Sequence, residues 1–174
     1  MREQVGEGSL IEQQVDCDED FRTGLDWQQT GNVQEAIACY QRSLTRQETA
    51  VVWTFLGWAQ AESGDHHAAI AACKHAIRID PEFGHAWNDL GAYFMETGRV
   101  EEALFALKRA LRSKFFDSPH LAHMNLARYY LHQGKLRRAY ESARAAQEYA
   151  PGYRPAAKLA EWIRERMEAW EIWD

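Results

Sequence analysis

Four glycines set the frame of this chain. Gly64 and Gly98 lie 34 residues apart, and laying one on the other brings Trp87 onto Trp53, Leu90 onto Leu56, Gly91 onto Gly57, Ala103 onto Ala69 and Ala110 onto Ala76. So many coincidences at one offset define an internal repeat, and a period of this size belongs to stacked arrays. On either side of each glycine, apolar residues recur at three- and four-residue intervals, the mark of two amphipathic helices. Reversing the chain between them takes a left-handed residue, which glycine supplies without a Cβ clash. Gly24, Gly57 and Gly91 stand inside first helices and serve another purpose: without side chains they let the second helix cross closely.

Two weaker copies flank the strong pair. Gly24, Trp27, Gly31, Ala36, Ile37, Tyr40 and Leu44 begin the array, although Asp20 stands where the leading Trp would be and Thr23 where the Leu would be. Leu126, Ala127, Tyr130, Gly134, Ala139, Ala146 and Pro151 form the fourth copy, with His123 in the Trp place. The turn-to-turn step is 33 residues from Gly31 to Gly64 and 36 from Gly98 to Gly134, so the first junction is one residue short and the third carries an insertion of two. It falls in Lys114 to Pro119, where Ser118 as N-cap and Pro119 at the first helical position start a helix. Asp18 is the expected N-cap of the first helix. The repeats are therefore set at 17–49, 50–83, 84–117 and 120–153. First and second helices are expected at 50–63 and 66–79, then at 84–97 and 100–113. After Pro155, the residues Ala156, Leu159, Ala160, Ile163, Met167 and Trp170 form one stripe, so 154–174 reads as a capping helix over the open end of the stack. Residues 1–16 read as an acidic, flexible arm, with Leu10, Ile11 and Val15 as possible anchors.

The period and the places of Trp, Leu-Gly, Ala, Ala and Pro resemble the tetratricopeptide repeat. That resemblance implies an all-α fold: a right-handed superhelix of antiparallel helix pairs, here four repeats and a capping helix. It also implies a concave wall lined by places 2, 5, 9 and 12 of each first helix. Here those places hold Asp18, Phe21, Leu25 and Gln28, then Val51, Thr54, Trp58 and Ala61, then His85, Asn88, Ala92 and Met95, then Leu121, Met124, Arg128 and Leu131. Ten of these sixteen are apolar, which favours a partner segment with apolar anchors over a hydrophilic one. The partner-binding set is expected to be Phe21, Leu25, Val51, Thr54, Trp58, His85, Asn88, Met95, Leu121, Met124, Arg128, Leu131 and His132. The carboxylate clamp of co-chaperone relatives cannot be assembled: its places hold Phe21, Leu25, Phe55, His85 and Asp89, or one repeat along Thr54, Trp58, Asp89, Leu121 and Asn125.

Two narrower likenesses follow. In its size, arm, stacked repeats and final helix the chain is similar to the small acidic chaperones of type III secretion translocators, which normally carry three repeats. The junction from Phe115 to Pro119 resembles the repeat junction of type IV pilus pilotins, which are exported lipoproteins. No apolar signal segment opens this sequence, and no apolar run approaches membrane-spanning length, so a cytoplasmic protein is expected.

Charge is uneven. The net charge is −6. Residues 105–147 nevertheless hold nine Lys or Arg against Asp117 and Glu141, a local +7. This gives an alternative reading in which the basic third and fourth repeats engage an acidic partner. Nucleic acid is disfavoured because the whole chain is acidic and the bases are not interleaved with an aromatic platform. A second possible interface is Trp162, Trp170 and Trp173 on the cap, which would serve self-association as a homodimer. The three cysteines fit neither a disulfide framework nor a zinc spacing. His120 and His123 lie three apart on one helix but lack acidic or thiol companions, so neither metal nor cofactor is expected. With no phosphate loop, activated nucleophile or paired acids, the expectation is a non-enzymatic adaptor, assembly factor or chaperone.

Overall fold

A computed structural model describes residues 18–171, with side chains described to Ala169. The arm at 1–16 and Trp173 lie outside the described residues, as does the side chain of Trp170. Nine α-helices make up the described residues: α1 (Glu19–Gln29), α2 (Val33–Arg46), α3 (Ala50–Glu62), α4 (His66–Ile79), α5 (Gly84–Glu96), α6 (Val100–Ala110), α7 (Pro119–His132), α8 (Leu136–Tyr149) and α9 (Arg154–Glu171). No strand occurs among them, only an isolated parallel bridge between Phe83 and Phe115. The chain packs as two compact units that part between Pro81 and Glu82.

Local chemistry explains where the helices start and stop. Asp18, Thr49 and Asp65 each accept the backbone N–H three residues on, so α1, α3 and α4 begin with a side-chain cap. Ser118 precedes Pro119 as expected but does not cap, because its hydroxyl donates to Asp117 Oδ1 at 2.9 Å instead. Each pair turns in the same way. Gly31, Gly64, Gly98 and Gly134 all have φ between 67° and 91°. The next residue donates back five positions, as Asp65 does to Gln60 O at 2.9 Å and Lys135 to Tyr130 O at 2.8 Å. This double closure satisfies carbonyls that a helix end otherwise leaves bare.

In the first unit, α1 packs on α2, α2 on α3 and α3 on α4. Small residues set the approach: Ala36, Ser43, Ala69 and Ala76 are wholly buried on the second helices. A Cβ at Gly24 would meet the Tyr40 ring at 2.5 Å, and one at Gly57 would meet Ala69 O at 3.2 Å. The close crossing read from these glycines is therefore present. Ser43 stands where later copies have Ala, and its hydroxyl donates to Asp18 Oδ2.

The second unit holds α5 to α9. Ala103, Ala110, Ala139 and Ala146 repeat the small-residue contacts. The two-residue insertion is not a loose loop but a clasp on the start of α5. Phe115 donates its N–H to Glu82 O at 3.1 Å and accepts from Gly84 N–H at 2.9 Å. Lys114 N–H reaches Glu82 Oε2 at 3.1 Å, and Arg109 pairs with the same carboxylate. At the far end, Ala160 and Ile163 of α9 are buried against Ala127, Ala139 and Ala143, with Leu159 and Met167 packed beside them. Helix α9 thus covers α8 through the stripe its sequence displays.

Candidate functional site

The first-helix face is best followed one place at a time. Place 5 holds Phe21, Thr54, Asn88 and Met124, and all four are buried. That corrects the expected groove set: these are packing residues, not open anchors. Phe21 is enclosed by Tyr40 and Phe55, with ring centroids at 5.7 and 5.1 Å. The Thr54 hydroxyl donates to Ala50 O at 2.8 Å inside its own helix. Met124 packs with Ala146 and Ala156. Val51 at place 2 is buried too. Place 9 turns outward instead, from half-buried Leu25 to exposed Trp58 and Arg128, and His132 is exposed beside it. His85, Met95, Leu121 and Leu131 are half-buried, the last packed partly on the α8 and α9 cluster. Asp18 is engaged by its cap, Ser43 and Arg46, and those hydrogen bonds outweigh burial to hold its carboxyl below the usual range.

What the first unit offers is an aromatic run that begins in the core and ends in solvent. Phe55 follows Phe21 at 5.1 Å edge to face, and Trp58 follows Phe55 at 5.8 Å. Trp58 is 48% exposed. Gln28 ties the run to its frame: it accepts from the Tyr40 hydroxyl at 2.8 Å and donates to Glu62 Oε2 at 2.7 Å. Phe55 and Tyr40 were absent from the expected set, and their apolar period across two facing helices was the available signal.

The second unit offers polar chemistry in the same places. Asn125 donates to Asn88 Oδ1 at 3.0 Å, and Asn88 donates to Asp89 Oδ1 at 3.0 Å. Burial pushes the Asp89 carboxyl up to about 6, against the pull of that hydrogen bond. His85 pairs with Asp117 at 2.9 Å, yet burial outweighs the pair and lowers its affinity for a proton. Asp89 and Asn125 lay outside the expected set, although both polar residues stand within first helices in the sequence.

The remaining candidates separate clearly. On α9, the Arg166 guanidinium lies 3.5 Å from the Trp162 ring centroid, so this 41% exposed indole already has a cationic cover. Lys108, Arg112, Arg128, Lys135, Arg137 and Arg144 of the basic segment are exposed. No group of three potential metal ligands occurs among the described residues. No helix among them is long and apolar enough to cross a membrane.

Comparison with known proteins agrees with the fold. Tetratricopeptide repeat profiles match residues 21–82 and 60–123, together more than half the chain. The small glutamine-rich tetratricopeptide repeat-containing protein 2 of Mycosarcoma maydis is 35% identical over 78 residues, which are 44% of this chain and 22% of that protein. The chain thus spans under a quarter of that relative's length. Among solved structures, Pseudomonas aeruginosa pilF superposes with a TM-score of 0.80 at 18% identity, over 91% of this chain and 71% of that one. YrrB, described as a TPR protein with an unusual peptide-binding site, gives a TM-score of 0.61 at 17% identity, over 92% and 84%. This all-α stack of helix pairs is a scaffold of the kind used for protein–protein interaction. The chain belongs to the tetratricopeptide repeat family.

Proposed function

We propose that this chain is a non-enzymatic adaptor, assembly factor or chaperone that holds an apolar stretch of a partner protein on the face of its first helices. One observation carries the reading: the packed run Phe21, Phe55, Trp58 leaves a large indole 48% exposed at its end. An aromatic ring braced from below has little rotamer freedom to lose on binding, which is what an interface anchor needs. The peptide-binding site named for YrrB is consistent with such a role. Cys39 and Cys73 are buried as thiols, which suits work in the reducing cytoplasm.

The test is a tagged pull-down from the native host with mass spectrometry, comparing the wild type with Trp58→Ala. Met124 is unsuited to this purpose because it is core. A protein partner that the wild type retains and Trp58→Ala loses, with unchanged melting, supports the reading. Equal retention by both moves the working surface elsewhere.

A second reading has its own observation, the exposed cations of the basic segment. Under it, an acidic partner binds the second unit electrostatically. Raising salt from about 50 to about 200 mM would then weaken binding steeply, whereas apolar anchoring would persist. The Trp162 surface is a weaker basis for a homodimer because Arg166 already covers it.

A further inference from the structure

The polar relay of the second unit has a direction. Asn125 of α7 gives its amide donor to Asn88 of α5, and Asn88 gives its own to Asp89 Oδ1. Both asparagines are buried, at 9% and 5% exposure, whereas Asp89 retains accessible surface. The relay therefore ends on a carboxylate whose second oxygen receives no hydrogen bond from the described residues. No cation acts on this group either, since burial and the Asn88 amide alone account for its behaviour. That is unexpected in a unit so rich in Lys and Arg. The Asp89 carboxyl is thus desolvated and held on one oxygen only, while its residue keeps accessible surface.

We infer that Asp89, fixed by Asn88 and Asn125, is the subsite that receives a lysine or arginine side chain from the bound partner segment. The inference rests on the first-helix face being the binding surface, and it adds the chemistry of what binds there. The Asn88 bond occupies Oδ1 and orients the carboxylate, leaving Oδ2 for an incoming donor. An ammonium or guanidinium supplies both the missing hydrogen bond and the missing countercharge, and charge-assisted bonds are the strong ones. A backbone N–H would supply only the first. An apolar residue in this place would bury the carboxylate unpaired, so the subsite also rejects. The partner segment is accordingly mixed, with apolar anchors and at least one basic residue among them.

The test uses an array of short synthetic peptides of randomised sequence, probed with the full chain as wild type and as Asp89→Asn. This substitution keeps the shape, and its melting temperature at neutral pH checks the fold. The wild type is expected to select peptides that combine a Lys or Arg with apolar residues. Asp89→Asn should lose the basic preference and keep the apolar one. For a selected peptide, replacing that Lys by Met should weaken wild-type binding about tenfold and leave Asp89→Asn binding unchanged, as for one charge-assisted contact. Apolar selection by the wild type without a basic preference would overturn the subsite and leave the binding face standing. Equal weakening of all peptides by Asp89→Asn would also overturn it, making Asp89 a structural support. Failure of the wild type to select any peptide would remove the binding face, and the subsite with it.

Discussion

The Trp53 indole lies flat against the His75 imidazole, with ring centroids 4.3 Å apart and planes inclined by 16°. These two residues are 22 apart in sequence, and the same separation joins Asp20 to Arg42 as an ion pair at 3.0 Å and places the Arg109 guanidinium 5.9 Å from the Trp87 ring. One contact between first and second helix is thus kept in three copies while its chemistry changes. In the fourth copy residue 145 is Ala, and His123 stacks on Tyr149 instead. Neither Trp53 nor Trp87 is fully buried. Trp53 stacks on the second helix of its own pair, and Trp87 meets Phe105 and Arg109 of its own second helix.

A consequence concerns the Trp53 ring nitrogen. Nε1 is buried and has no hydrogen-bond partner among the described residues. Replacing Trp53 by Phe removes an unsatisfied donor while keeping a stacked ring, so the two effects offset and stability should change by less than about 1 kcal/mol. Trp53→Ala removes the ring from a half-buried place and should cost about 2–3 kcal/mol, below the range for a sealed core. Urea unfolding of both variants checks this. A large loss for Trp53→Phe would mean that the nitrogen is paired in solution.

The helix-crossing glycines should not be equivalent. At Gly24 a methyl group would meet the Tyr40 ring at 2.5 Å, and that ring is held by Phe21, Phe55 and the hydrogen bond to Gln28. At Gly57 the nearest atom is Ala69 O at 3.2 Å, a smaller conflict. Gly24→Ala should therefore cost about 1–3 kcal/mol, while Gly57→Ala should cost less, because the gain in helix propensity offsets part of the strain. Thermal melts of the two variants side by side would show the order. Equal losses would mean that Tyr40 moves aside freely.

These particulars show what the sequence could and could not convey. The turn glycines, the small residues of the second helices and the α9 stripe were legible because each depends on local backbone geometry or on a period. The identity of the groove residues was not. Places 5 and 9 are four apart and lie on nearly the same helix face, so a modest rotation of the helix decides which one is core. That rotation buries Phe21 and Met124 and exposes Trp58 and Arg128. The Asn125 to Asn88 relay joins residues 37 apart through the inserted junction, a spacing that belongs to no motif.

The clasp at Phe115 makes a prediction about exchange. Gly84 N–H and Phe115 N–H are each donated to backbone carbonyls across the junction, although the segment around Phe115 is a loop. Both amides should exchange more slowly than their exposed neighbours. The Phe116 ring packs where a Cβ on Gly84 would stand, so Gly84→Ala must displace it. That variant should lose protection at Phe115 and about 1–3 kcal/mol of stability. Hydrogen exchange followed by NMR reads both amides. Fast exchange at Phe115 in the wild type would show that the junction opens independently of α5.

The Asp89 carboxyl links stability to pH in a direction opposite to that of most acids. Its affinity for a proton is raised by folding, to about 6 from an ordinary value near 3.8. The protonated form is the one the fold prefers, so its contribution is fully present below the unfolded value and is lost as pH rises through about 6. Asp89→Asn mimics the protonated form and does not titrate. The stability difference between variant and wild type should be close to zero near pH 4, and should grow to about 1–3 kcal/mol in favour of the variant above pH 7. His85, which burial keeps neutral, loses stability as pH falls through its unfolded value, but it does so in both proteins and cancels from the difference. Denaturant titrations across this range measure the curve. A difference that is flat with pH would show that Asp89 is solvated and normal, and the Asp89 subsite would have to be abandoned.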